Sequence, residues 1–156
     1  MIFSNIDLTR VAIVILGLCG FWVAKHIRHH KRTGKLLVCP IRFDCNTVVN
    51  SDYSKFFGIP VEILGMAYYS LVVISYFLSV VHLYFTLIPV PNILIAFMIA
   101  LSVIAFLFSI YLIFVQIFIL KKGCSWCFVS ALISTSIFIL TLMTYDFSSI
   151  VQTIIK

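Results

Sequence analysis

The sequence predicts an all-α integral membrane protein, a four-transmembrane-helix bundle with an extramembrane cap loop between helices 1 and 2. Three observations predict it: of 156 residues 63% are apolar, only 10% are charged, and the apolar residues fall in four long runs. Soluble domains are about 45–50% apolar and about 25% charged, so polar surface is too scarce here for a water-soluble globule. The same composition excludes disorder, and long continuous runs argue against a β-barrel.

Each of the four runs is long enough to cross a bilayer, whose hydrocarbon core needs about 20 helical residues. The predicted spans are residues 6–24, 61–87, 93–120 and 126–145, with the cap at 25–60, in one membrane domain covering 1–156. The first span could instead be a signal peptide, because Arg10 precedes an apolar run. No small-x-small cleavage site lies near Ala24, which favours a retained helix.

Local signals mark the ends of these spans. Pro60 and Glu62 suit the first turn of the second helix, where a missing N–H and a negative charge are both tolerated. Pro89 and Pro91 bracket a tight connection between spans two and three, and Gly123 breaks the chain before span four.

The distribution of charge conflicts with the chemistry of the cysteines. Nine of the eleven Lys and Arg residues lie on the cap side, so the positive-inside rule places the cap in the cytoplasm. Stable disulfides belong instead in oxidising compartments. We therefore expect the cap to be extracytoplasmic, with its basic residues contacting anionic lipid headgroups.

Four of the five cysteines map to the cap side of the membrane. Cys39 and Cys45 lie in the cap, while Cys124 and Cys127 form a C-x-x-C at the start of the last span. The fifth, Cys19, falls within the first span, where a free cysteine packs as a small hydrophobe.

A C-x-x-C at a helix N-terminus is suited to disulfide exchange. Unpaired N–H groups and the positive dipole end lower the thiol pKa, and Lys121 and Lys122 should add to this effect. Two dithiol pairs on one face can pass an oxidising equivalent through a mixed disulfide. This pattern predicts a relay, with an outer pair that meets a soluble partner and an inner pair at the membrane surface.

Two other uses of the same cysteines remain open. They could form a structural disulfide that braces the cap, or they could ligate zinc tetrahedrally. His26, His29 and His30 share a helical face, but neighbouring Lys and Arg residues favour a cationic helix extension at the lipid headgroups. No bound metal is expected.

Several features follow one another along the chain in a recognisable order. After a first span come Cys39 and Cys45, a run from Asp44 to Pro60 (D-C-x-x-V-x-x-S-x-Y-S-K-x-x-G-I-P), and C-x-W-C opening the last span. Over roughly residues 8–145 this order resembles the vitamin K epoxide reductase family, in its small bacterial type without a fused thioredoxin domain. In the other quinone-linked family, the bacterial disulfide-bond protein B type, the C-x-x-C precedes the second pair.

The resemblance implies a quinone-dependent thiol oxidoreductase in a membrane of the bacterial inner-membrane type. A separate thioredoxin-fold dithiol protein would attack Cys39, and Cys45 would then exchange with Cys124. Cys127, nearest the quinone (ubiquinone or menaquinone), would be reoxidised as quinol forms. The expected partners are thus this dithiol protein, quinone and membrane lipid, with no nucleic acid.

The resemblance also assigns smaller parts of the site. Ser51 would help to assemble it, although Ser51 could equally be the N-cap of a short helix predicted around Ser51–Phe57. Vertebrate-type members have a tyrosine where this chain has Ala131, so we expect plain quinone reduction. Eight aromatic residues could line a quinone pocket: Tyr68, Tyr69, Tyr76, Phe106, Tyr111, Phe114, Phe118 and Trp126.

Overall fold

The computed structural model describes residues 2–39, 44–86 and 92–145, and these form four long helices under a small cap. The long helices are α1 (Ile2–Thr33), α3 (Val61–Thr86), α4 (Asn92–Phe114) and α5 (Ser125–Thr144). The cap contains α2 (Cys45–Val49), a 3₁₀ turn (Asp52–Ser54), and a hairpin of β1 (Lys55–Phe56) and β2 (Ile59–Pro60).

All four long helices are long and apolar enough to cross a membrane, which confirms the predicted fold class. The qualifying segments are Leu8–Thr33, Val61–Val81, Asn92–Ile119 and Ser125–Thr144. Large apolar side chains on their outer surfaces, such as Leu18, Phe77, Ile104 and Leu132, are exposed, as expected for helices that contact lipid. The predicted tight connection at Pro89 and Pro91 lies outside the described residues.

Helix α1 continues well past residue 24, where the sequence placed the end of the first span. Its last turn is basic, and cations there are favourable next to the negative end of the helix dipole. The Thr33 hydroxyl donates to the His29 carbonyl at 2.8 Å, and Gly34 then adopts a φ of +64° that ends the helix. The start of the predicted cap loop is therefore a helical extension that carries the three histidines.

The short helix predicted around Ser51–Phe57 is present only as the 3₁₀ turn Asp52–Ser54. After the 3₁₀ turn the chain reverses in a two-residue hairpin, with Phe57 and Gly58 both at positive φ. Such turns match the twist of the flanking strands, and they cannot be part of a helix. Pro60, expected in the first turn of the second span, instead ends β2 just before α3 begins.

Helix α3 packs closely against α1 and is hydrogen-bonded to α5. Gly17 and Gly20 on α1 leave no room for a Cβ atom beside Val73 and Tyr69, so the two helices are in close contact. The Tyr69 hydroxyl also lies 2.9 Å from both the carbonyl and the hydroxyl oxygen of Ser130 on α5. Because α4 packs mainly on α5 and touches α3 little, a cavity remains between α3 and α4 under the cap.

Candidate functional site

Three cysteine sulfurs meet where the cap rests on the helix bundle. Cys39 and Cys45 form a disulfide, and the Sγ atoms of Cys39, Cys45 and Cys124 all lie within 4.8 Å of one another. Cys45 and Cys124 are buried, whereas Cys39 is partly exposed. The structure therefore brings the two predicted pairs together, and the solvent-accessible sulfur of the loop pair is that of Cys39.

A hydrophobic cluster fixes this meeting point. Leu37 and Val48 from the cap pack against Val23 and Ile27 near the end of α1, with Cys45 and Cys124 in the same cluster. Burying these apolar side chains anchors the cap on the bundle, so the position of the loop disulfide is set by packing. Cys19, expected to be a packing residue, is instead exposed on α1.

Asp44 adds a polar contact between the cap and the turn that precedes α5. Its carboxylate caps α2 by accepting from the Thr47 backbone N–H at 3.2 Å and from the Thr47 hydroxyl at 2.7 Å. It also pairs with Lys122 Nζ at 2.6 Å, and this hydrogen bond is the main reason that the pKa of Asp44 falls to about 2. Lys122 was expected to act on the C-x-x-C; it binds the cap instead.

The C-x-x-C lies at the start of α5, as the sequence predicts. Cys124 is the N-cap residue, and its sulfur accepts from the Cys127 backbone N–H at 3.4 Å. The pKa of the Cys124 thiol is lowered, first by the hydrogen bond from the Cys127 thiol and then by backbone N–H groups of Cys127 and Trp126. Cys124 is thus the sulfur of this pair that favours the thiolate form needed for exchange.

Gln116 supports Cys124 from the end of α4. Residues Val115–Ile119 are π-helical, a local widening that often occurs at functional sites. The Gln116 side chain is buried there, and its Oε1 accepts from the Cys124 backbone N–H at 3.2 Å. The sequence analysis missed this residue, although a lone amide within an apolar span was a signal that could have found it.

Trp126 lies between the two cysteines of the C-x-x-C in the sequence. Its side chain contacts both the cap and α1. Its indole N–H donates to the carbonyl of Val38, the residue before Cys39, at 3.4 Å. The rings of His26, Trp126 and Trp22 form a cluster in which His26 lies 4.7 Å from Trp126 and 5.5 Å from Trp22, and the two indole rings are 6.4 Å apart. In the described part of the chain, the potential metal-ligand group holds the three cysteines and no histidine, and two of its sulfurs are already bonded to each other.

Cys127 lines the cavity of about 470 Å³ between α3 and α4. Of the eight aromatic residues predicted for a quinone pocket, Tyr68 and Tyr69 line it and the other six do not. The remaining aromatic lining comes from residues that the sequence did not single out: Tyr53 and Phe56 from the cap and Phe108 from α4. Volumes of roughly 300–1,000 Å³ with mostly apolar walls are typical of small-molecule sites.

Ser51 lies at the cap side of this cavity. Its hydroxyl donates to the Val48 carbonyl at 2.7 Å, and it makes no side-chain capping bond to the 3₁₀ turn that follows. The N-cap hydrogen bond considered for Ser51 is therefore absent, and the hydroxyl instead braces the last turn of α2. Ala131 also lines the cavity, deeper on α5.

The buried carboxylate of Glu62 forms another part of the cavity wall and is ion-paired with Lys31, which lies outside the lining. Glu62 in the first turn of α3 lies 2.8 Å from Lys31 Nζ on α1, and Lys31 also donates to the Ser54 hydroxyl at 3.0 Å. The sequence suggested Glu62 only as a favourable charge at a helix start. Lys31, on the α1 extension, is the partner that the sequence did not reveal.

Comparison with family models identifies a family that matches the chain. The model of the vitamin K epoxide reductase family matches residues 11–142, which is most of the chain and includes both cysteine pairs. No curated protein matches the chain.

Proposed function

The chain belongs to the vitamin K epoxide reductase family, and on that premise we propose that it forms disulfides in a separate dithiol protein and passes the electrons to a quinone. Family membership and the membrane-spanning helices identify it as an integral membrane oxidoreductase. The observation that carries the proposal is the position of the C-x-x-C. Cys124 lies within 4.8 Å of both sulfurs of the loop disulfide, while Cys127 lines the cavity.

The first exchange takes place at the cap. A partner thiolate attacks the partly exposed Cys39, the loop disulfide breaks, and Cys45 leaves as a thiolate. We infer that the partner has a thioredoxin fold, because such proteins present one accessible thiolate and a second thiol that resolves the mixed disulfide.

The second exchange passes the reduced state from the loop cysteines to the C-x-x-C. With Cys124 and Cys127 oxidised, the Cys45 thiolate attacks Cys124 and releases Cys127. The second partner thiol then frees Cys39, which attacks Cys45, re-forms the loop disulfide and releases Cys124. The net result is an oxidised partner and a reduced C-x-x-C beside a re-formed loop disulfide. Ser51 contributes by bracing the turn of α2 that follows Cys45.

The cavity fits a quinone headgroup. Its walls are mostly apolar, and the buried hydroxyls of Tyr68 and Ser134 lie close to each other in one wall. Because an apolar pocket orients its ligand through a few polar groups, these two hydroxyls and Gln116 are the groups that would hold the quinone oxygens. A bound quinone, ubiquinone or menaquinone, supplies a two-electron, two-proton acceptor for the C-x-x-C dithiol.

The proposed location is a membrane of the bacterial inner-membrane type, with the cap on the extracytoplasmic face. This side suits a relay that must keep a disulfide oxidised. Two cap-side lysines, Lys31 and Lys122, are engaged in ion pairs with acidic residues of the protein itself. The remaining basic side chains of the α1 extension are placed to contact anionic lipid headgroups.

The test is a thiol count under anaerobic conditions. The purified, reduced protein is assayed for free thiols before and after addition of a membrane quinone, with quinol measured in the same sample and Cys127→Ala run in parallel. We expect one quinol for each disulfide formed, and no quinol from the variant.

Other outcomes would support the alternative uses of the cysteines. Stoichiometric zinc without any quinone-dependent thiol loss would establish a metal site. A loss of stability in Cys124→Ala and Cys127→Ala, with no quinone reduction by the wild type, would establish a structural disulfide.

A further inference from the structure

Glu62 is a carboxylic acid buried in the wall of the cavity that Cys127 lines. It is 7% exposed, and both carboxylate oxygens are shielded from solvent. Ionisable groups within membrane domains are expensive to bury, and those that occur usually serve the function of the protein. Among the described residues that line the cavity, Glu62 is the one carboxylate.

Lys31 connects this carboxylate to the cap. Its Nζ lies 2.8 Å from Glu62 Oε1 and donates to Ser54 in the cap, and its side chain retains 19% exposure. Neither carboxylate oxygen has a hydrogen-bond partner among the described residues, and Oε1 is the oxygen in ion-pair contact with Lys31. One carboxylate oxygen is therefore fixed by a cation near the surface, and the second is available to exchange a proton.

We propose that Glu62 carries a proton from the Cys127 thiol to a quinone oxygen, with Lys31 as its positioning residue; this rests on the proposed function. Overall, one S–S bond forms between Cys124 and Cys127, and two S–H bonds break. Two electrons and two protons pass to the quinone, which becomes quinol. Glu62 takes the Cys127 proton and delivers it, so it ends each cycle as it began.

The other titratable groups around the cavity are less suited to carry this proton. They are Tyr53 from the cap, Tyr68 and Tyr69 from α3, and Cys127 from α5, while α4 contributes none among the described lining residues. The Tyr69 hydroxyl is bound to Ser130. A phenol near neutral pH is a poor proton acceptor, whereas a carboxylate can both accept and donate.

The test compares Glu62→Gln with the wild type, because glutamine keeps the shape and removes the exchangeable proton. The pre-reduced protein is mixed with quinone and quinol formation is followed over a range of pH. We expect a rate lower by about 10²-fold, typical of a lost general acid or base. The pH dependence of the step should flatten, KM should stay near the wild-type value, and the loop exchange should be unaffected.

A double variant distinguishes proton transfer by Glu62 from a purely structural role of the Glu62–Lys31 ion pair. Glu62→Gln leaves the Lys31 charge without its partner, whereas Glu62→Gln with Lys31→Met removes both charges. We expect the double variant to stay slow, and Asp52→Asn, at an exposed carboxylate of the cap, to match the wild type. If the double variant regains the wild-type rate and pH profile, the pair is structural and the proposal is overturned.

A second readout needs no quinone. Infrared difference spectra between the oxidised and the dithiothreitol-reduced protein should contain a shifted carboxylate band of Glu62, because the Cys127 thiol that gives Glu62 its proton becomes a disulfide sulfur. Glu62→Gln should abolish this band, and Asp52→Asn should retain it. Absence of a Glu62-dependent band would contradict the proposal. A wild-type protein that reduces no quinone at all would instead contradict the proposed function, so the two failures are distinguishable.

Discussion

Asp44 and Lys122 form an ion pair of 2.6 Å across 78 positions of the sequence. Asp44 immediately precedes Cys45, and Lys122 lies in the turn just before Cys124. The pair therefore ties together the two segments whose sulfurs must exchange. The same two segments also pack together in the buried hydrophobic cluster that contains Cys45 and Cys124.

Breaking this pair should slow the exchange between the loop and the C-x-x-C. Asp44→Asn is the informative change, because asparagine retains the capping bond to Thr47 and loses the charge. Since both side chains are about half exposed, we expect only a roughly two- to five-fold slower transfer, as for exposed ion pairs. Rapid-quench alkylation after addition of a model dithiol measures the transfer. Asp52→Asn should leave it unchanged, and an equal effect in both variants would contradict the role.

The same contact should make the cap sensitive to acid. The pKa of Asp44 is lowered from 3.8 to about 2 by Lys122 and Thr47. A depressed carboxyl pKa stabilises the folded state fully above the unfolded value, and this contribution disappears as the pH falls towards the folded value. We expect Trp126 fluorescence to report a loosening between about pH 4 and pH 2, reduced in Asp44→Asn. An identical transition in the variant would exclude Asp44 as its cause.

Cys45→Ala should block the relay between its two pairs. The partner can still reach the Cys39 thiol, but no thiolate remains next to Cys124 to open the C-x-x-C disulfide. We expect Cys124 and Cys127 to stay oxidised when the reduced partner is added, as read from alkylation mass shifts. Cys19→Ala, at the exposed position on α1, should behave as the wild type. Ready reduction of the C-x-x-C in Cys45→Ala would refute the proposed order.

The contact between α1 and α3 should be intolerant of added volume at Gly20. A Cβ there would lie 2.6 Å from Tyr69 Cδ1, so the ring and its hydrogen bonds to Ser130 would have to move. We expect Gly20→Ala to lower the free energy of unfolding by about 1–3 kcal/mol, as for overpacked cores. Gly65→Ala is the matched control, because its nearest contact would be Ala24 at 3.7 Å. Equal thermal stability of the two variants would contradict this packing.

The sequence was informative about the helices and the cysteines because both leave strong local signals. Four apolar runs predict four spans, and the C-x-x-C after Gly123 predicts reactive thiols at a helix start, where Cys124 is found. The cap was harder. Phe57 adopts the positive φ that the hairpin needs, but a phenylalanine does not signal it, so the helix predicted around Ser51–Phe57 was right only for the 3₁₀ turn Asp52–Ser54.

The contacts that complete the site depend on tertiary structure, and the sequence could not reveal them. Lys122 was expected to act on the nearby thiols, yet a distant aspartate binds it. Nothing local links Lys31 to Glu62, because the two meet only when α1 extends beyond its membrane span and packs on α3. Most aromatic candidates missed the cavity for the same reason, since helix rotation decides which face each one occupies.

The most direct test of the relay is a disulfide map of Cys127→Ala after a single addition of reduced partner. Without Cys127, the thiol of Cys124 has one disulfide within reach, the loop pair whose sulfurs lie within 4.8 Å. Mass spectrometry of the alkylated, digested protein should find a Cys45–Cys124 disulfide with Cys39 as a free thiol, and a Cys39–partner disulfide only in molecules whose Cys45 and Cys124 are both thiols. A Cys39–Cys45 disulfide that persists beside a free Cys124 thiol, with none of the mixed species, would contradict electron transfer between the two pairs.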